Sequence, residues 1–311
     1  MKSNTLISLF LLYVRVGLWT LLSGLLWISS SFADGDLVQQ GQYIFRLAGC
    51  QGCHTDTKHK GAVLAGGRAL VTPFGTFYPP NLTSDPKFGL GNWSEDDFIR
   101  ALKNGVSPSG KSYFPVFPYT SYTHMSREDM HALWAYLRTV PAVVQPNRDH
   151  DLPWYLGRLA SWGWQFLFFT PDLVGMPSSP ATAVNRGAYI ATALAHCEEC
   201  HTPRNIFGVL NHRMAYAGTK DGPEGTSVPS ITKDTKNRIS KWSHSDLVDF
   251  FTEGALPDGD YVGGLMAEVV DNGLKHLTKE DAKALATYIL LFQSAPPAWG
   301  AILSVPPTQT K

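Results

Sequence analysis

Cys50-Gln51-Gly52-Cys53-His54 and Cys197-Glu198-Glu199-Cys200-His201 repeat one pattern, C-x-x-C-H, 147 residues apart. The pattern is the attachment signature of c-type haem. Two thiols reach two points on one macrocycle edge, and the adjoining imidazole faces the metal. All four cysteines of the chain are used in these two motifs. Two disulfides, or one zinc ion held by two C-x-x-C pairs, would use the same cysteines. Neither needs a histidine directly after each second cysteine, so the repeated histidine favours haem. Cys50, Cys53, Cys197 and Cys200 are therefore read as the covalent attachment points of two haem c groups, with His54 and His201 as proximal iron ligands.

Working outward, the flanks of the two motifs match as well. Gly41-Gln42-Tyr43-Ile44 precedes the first and Gly187-Ala188-Tyr189-Ile190 the second, with one residue inserted. Asn81-Leu82-Thr83 matches Ser230-Ile231-Thr232, and the run from Trp93 to Phe98 matches that from Trp242 to Leu247. Gly105, Pro108 and Gly110 match Gly254, Pro257 and Gly259 at a constant offset of 149, which becomes 152 at the final helices. Ser94 and Ser243 read as helix N-caps with Asp97 and Asp246 at the third helical position, and Ser126 and Thr278 open the last helices by the same logic. Strand signals are nearly absent. With only two copies, this is a duplicated domain and not a solenoid. The expected fold is all-α: two tandem class I cytochrome c domains, in which first and last helices cross near the haem edge. The expected boundaries are a signal peptide over 1–33, domains over 34–140 and 186–311, and an apolar, Pro/Trp-rich linker over 141–185.

Residues 1–33 hold Lys2, Arg15 and no acid, then an apolar run from Val16 to Ile28 and small residues at Ser31 and Ala33. That is the pattern of a cleaved export signal. The rival reading is an uncleaved anchor, but 13 apolar residues fall short of the ~20 that span a bilayer core. The expected location is the periplasm, with the outer face of the inner membrane within reach. Over the full 311 residues, 26 basic side chains balance 26 acidic ones with no basic stripe, which excludes nucleic acid as a partner. In the linker, Trp154 to Phe169 reads WYLGRLASWGWQFLFF. One reading packs it between the domains; the other makes it an amphipathic surface that meets a partner or a membrane.

The distal ligands are less legible. In the second domain Met266 lies in Gly263-Gly264-Leu265-Met266-Ala267, read as a flexible loop, and a methionine thioether there would close the iron site. The matching stretch of the first domain, Gly110 to Tyr119, has no methionine. Met125, directly before the Ser126 cap, is the preferred ligand, with Met130 and His124 as further candidates. No catalytic residue is read.

Further motifs carry a resemblance: Gly66-Gly67-Arg68, Thr72-Pro73-Phe74-Gly75-Thr76, Asn81-Leu82-Thr83-x-Asp85, Phe114-Pro-x-Phe-Pro-Tyr119-Thr and Met266-Ala-Glu-Val-Val270. The chain resembles the cytochrome c subunits of membrane-associated bacterial dehydrogenases, such as the alcohol and gluconate dehydrogenase complexes. The resemblance implies a subunit that takes electrons from a catalytic subunit and passes them to a quinone, an oxidase or another cytochrome. Those subunits usually carry three haems, where this chain has two motifs. The expected role is thus electron transfer without bond chemistry. The rival is a dihaem c-type peroxidase with one open-site haem.

Overall fold

A computed structural model describes residues 35–172, 175–176, 181–232 and 238–291. The expected signal peptide lies outside the described residues. Helix α1 covers 35–47 and leads into α2, Cys50–His54. After a short hairpin, β1 Leu70–Thr72 and β2 Gly75–Phe77, come α3 Glu95–Asn104, α4 Tyr119–Tyr122 and α5 Arg127–Thr139. Helix α6, Arg158–Phe168, precedes a second series: α7 Ala183–Tyr189, α8 Glu198–His201, α9 His244–Glu253, α10 Gly264–Asn272 and α11 Lys279–Leu291.

The predicted caps form. Ser94 Oγ accepts from the Asp97 amide and Ser243 Oγ from the Asp246 amide, each as a full capping box. Glycine ends both helices in the left-handed region, Gly105 at φ 63° and Gly254 at φ 74°. Ser126 and Thr278 accept from the amides of Asp129 and Asp281. A hydroxyl or carboxylate here satisfies amides that have no partner within the helix.

In each series the first helix crosses the last at a glycine. A Cβ on Gly41 would stand 1.9 Å from the Ala132 carbonyl oxygen, and one on Gly187 2.1 Å from that of Ala284. Around these crossings Ile44, Leu47, Leu133 and Leu137, and likewise Ile190, Leu194, Leu285 and Ile289, are buried in the core. The residue inserted between Gly187 and Cys197 also has a structural counterpart. Helix α7 runs on into a π-helical turn, Ile190–Leu194. Such a turn absorbs one extra residue without breaking the helix.

One expectation needs refinement and one correction. Sheet is slight but present: among the described residues β1 and β2 pair antiparallel, Leu70 opposite Phe77 and Thr72 opposite Gly75. The Thr72 hydroxyl closes the turn by accepting from Phe74 N and donating to Gly75 O, at 3.1 and 2.8 Å. Met266 is not in a loop; it lies in the first turn of α10. Gly263 and Gly264 mark only the helix start, and Leu-Met-Ala-Glu that follow are good helix formers.

Within the Trp154–Phe169 stretch, Arg158–Phe168 forms α6, with its polarity reversed. Its inward contacts are polar: Ser161 Oγ donates to Ser112 O, Ser112 Oγ to Gln165 Oε1 and Gln165 Nε2 to Asn104 O. Trp164 Nε1 donates to Phe207 O at 2.8 Å. Outward stand Trp154, Leu159 and Phe166, exposed by 93, 84 and 73%.

Candidate haem-attachment site

Helix α2 brings Cys50, Cys53 and His54 onto a single turn, and α8 with its N-cap Cys197 does so for Cys197, Cys200 and His201. The imidazoles are held alike. His54 Nδ1 lies 2.7 Å from Pro80 O and His201 Nδ1 2.8 Å from Pro229 O. A carbonyl accepts only, so each Nδ1 carries the proton and each Nε2 keeps its lone pair for a metal. Desolvation favours the neutral ring: it lowers His54 to about 4, against the opposing pull of the Pro80 bond, and lowers His201 as well.

The thiols are protonated in these surroundings, because burial pushes Cys50 and Cys197 up to about 12. No disulfide joins the four cysteines. Among the described residues no group of three or more His, Cys, Asp or Glu could hold a metal ion. The zinc arrangement needs four thiolates converging on one point, and the geometry does not supply it. Two protonated thiols beside one imidazole with a free Nε2 fit haem c at each turn.

The candidate distal residues fall in different settings. Met266 is partly buried against the core on α10, which packs against both α9 and the first attachment turn, α2. Met125 is completely buried, directly ahead of the Ser126 cap, and corresponds to Leu277 ahead of Thr278. Met130 is buried within α5, and His124 Nδ1 lies 2.9 Å from Asp172. The backbone bridges Val106–Ser112 and Ala255–Tyr261 hold the two series in a 149-residue register. That register sets Phe117 opposite Met266.

The two series meet through crossed contacts. Tyr43 of α1 donates its hydroxyl to Asp281 of α11 at 2.6 Å, and Tyr189 of α7 donates to Asp129 of α5 at 2.5 Å. The same hydroxyls accept from the cap amides of Thr278 and Ser126. Each aspartate is also held by its own series, Asp129 by Gln40 and Asp281 by Arg186. Near the attachment turns, Thr120 and Ser121 donate to Glu199 at 2.9 and 3.1 Å, and Arg68 donates to both Gly52 O and Glu268. Sequence reading did not single out these residues as contacts. Tyr43 with Tyr189 and Asp129 with Asp281 are matched polar residues inside the repeat, which marks them as equivalent without showing that they pair.

Comparison with known proteins agrees with this geometry. The cytochrome c family model matches residues 38–141. The chain is 38% identical over 255 residues to a protein named diheme cytochrome c-type from Cereibacter sphaeroides, covering 80% of this chain and 84% of that one. It is 33% identical to the cytochrome c subunit of a quinone alcohol dehydrogenase from Gluconacetobacter polyoxogenes, over 91% of this chain and 61% of the subunit. It is 36% identical to the gluconate 2-dehydrogenase cytochrome c subunit of Pantoea cypripedii, over 83% of this chain and 60% of that one. It thus spans about three fifths of the length of these two subunits.

Proposed function

Since the chain belongs to the cytochrome c family, we propose that it binds two haem c groups and relays electrons from a dehydrogenase catalytic subunit to a quinone, an oxidase or another cytochrome. The relay would work in the periplasm, one haem in each of two tandem class I domains, residues 34–140 and 186–311. The observation that carries this reading is the matched pair of imidazoles, each ending a C-x-x-C-H turn with Nδ1 bonded to a proline carbonyl. Haem c supplies a one-electron ferric/ferrous couple when bound. The chain's own residues do the rest. Cys50 and Cys53, and Cys197 and Cys200, anchor the macrocycle edge; His54 and His201 present Nε2. Met266 is the proposed distal ligand of the second site and Met125 that of the first. Met125 is completely buried and Met266 partly so, and apolar packing there favours outer-sphere electron exchange over ligand chemistry.

Haem quantitation with optical and EPR spectra of the oxidised protein tests this reading. Two haems per chain, both low-spin, are expected. One haem, or a high-spin signal with rapid peroxide turnover, would overturn it and favour the peroxidase. Met266→Ala is expected to remove about half of the thioether-to-iron absorption and lower the potential of one haem; Met125→Ala removes the other half, and Met130→Ala removes none.

The outward apolar face of α6 supports a membrane-surface contact. A helix that turns serine and glutamine inward while exposing tryptophan, leucine and phenylalanine is arranged for an interface and not for water. No helix among the described residues is long and apolar enough to cross a membrane, so the contact would lie in the interfacial plane. Flotation with anionic vesicles is expected to carry the protein, and the triple change Leu159→Ser, Trp162→Ser, Phe166→Ser to abolish at least about nine tenths of the binding. Equal flotation of this variant would rule the face out.

A further inference from the structure

The residue ahead of each attachment turn is left-handed, but the two are chemically different. In the first it is Gly49, at φ 64°; in the second it is His196, at φ 38°. Glycine meets that geometry without strain, whereas a side chain there is strained and persists only when its surroundings hold it. The His196 side chain reaches across to the other series, where Nε2 lies 3.3 Å from Ala48 O, two residues before Cys50. The Tyr122 hydroxyl donates to the same carbonyl at 2.8 Å, and the edge of its ring meets the His196 ring at 5.6 Å between centroids. One residue before Cys197 and two before Cys50 are therefore bridged directly by a single imidazole. Thr120 and Ser121, beside Tyr122 on α4, fasten Glu199 of the same second turn.

We propose that His196 is a positioning residue that fixes the separation of the two attachment turns and thereby sets the rate at which an electron crosses between the two haems. The inference rests on the two-haem reading above. The crossing oxidises one haem by the single electron that reduces the other, so it needs no proton and no co-reactant. What His196 contributes is distance: it ties the two backbones where the macrocycle edges are anchored, and its Nε2 comes within van der Waals range, 4.0 Å, of where a Cβ on Gly49 would stand.

The test uses the full chain loaded with haem. His196→Gly keeps the left-handed backbone and removes the bridge; His196→Asn also tolerates that backbone and keeps a short amide donor. Haem content, spectra, both reduction potentials and thermal stability are measured first, then the equilibration rate between haems after photochemical injection of one electron. The expected result for His196→Gly is two haems, unchanged spectra and stability no lower than the parent. Its equilibration should be slower by roughly tenfold or more, as loss of a positioning contact near reacting groups produces. His196→Asn should recover part of the rate. An unchanged rate in a two-haem His196→Gly protein overturns the proposal while leaving the relay intact. A slowing that merely tracks lost haem or lost stability in both variants also overturns it, since that marks a structural role alone. A single haem in the parent protein would instead sink the two-haem reading itself.

Discussion

Gly187→Ala is expected to destabilise the protein by about 3 kcal/mol, and Gly41→Ala by a similar amount. The added methyl at 187 would sit 2.1 Å from the Ala284 carbonyl oxygen and 2.6 Å from Tyr288 Cβ. Neither atom can swing aside, because the first is helix backbone and the second is fixed to it. The helices must separate, and separation opens voids around Ile190, Leu194, Leu285 and Ile289. Denaturant unfolding followed by far-ultraviolet circular dichroism would read the loss. Gly163→Ala is the control: Gly163 lies inside α6 with nothing within 4 Å of an added Cβ. There the same change should stabilise the helix, by up to about 1 kcal/mol. A Gly187→Ala protein as stable as the parent would show that the crossing does not depend on backbone contact.

Asp281→Ala is expected to cost about 2 kcal/mol, because it removes the one carboxylate that accepts from both the Arg186 guanidinium and the Tyr43 hydroxyl. The cost is moderated because Arg186 keeps about a fifth of its side chain in solvent. Asp129→Ala should cost less, since its own-series partner is the neutral Gln40 amide. The aspartate also gives the seam a pH dependence of definite sign. Burial alone would raise the Asp281 carboxyl, but the bonds from Arg186 and Tyr43 outweigh it and hold the group below the ordinary carboxylate value of 3.8. A carboxylate depressed in the folded state adds stability above its unfolded pKa and loses it as the pH falls through the folded one. Acid unfolding of Asp281→Asn should therefore lack part of the parent's slope below pH 3.8. Parallel acid curves for the two would refute the assignment.

What was legible in the chain was local. The C-x-x-C-H turns and the serine and threonine caps each depend on residues within four positions of one another, so spacing alone reveals them. The π turn was half legible: the inserted residue before Cys197 was visible, but not where the helix would absorb it. Contacts at long sequence separation were not legible. Nothing near Tyr43 announces Asp281, 238 positions away, and nothing near His196 announces Ala48. Helix α6 was open to two readings, packing between the domains or an amphipathic surface, and only the placement of Ser161 and Gln165 against Ser112 and Asn104 reveals that the polar face is the inward one. The hairpin was missed because Thr72-Pro73-Phe74-Gly75 is too short to show alternation.

The crossed tyrosine bonds have the pattern of a symmetric dimer: Tyr43 finds Asp281 as Tyr189 finds Asp129, so each patch answers its own counterpart about a pseudo-two-fold axis. Two identical subunits meeting this way would have to carry the same side chain on both sides of the axis. A single chain is free of that restriction. Across the axis it sets Gln40 against Arg186, Gly49 against His196 and Phe117 against Met266. Covalent continuity thus lets a symmetric scaffold hold two unlike sites, which would give the proposed relay a direction that a homodimer of one domain could not have.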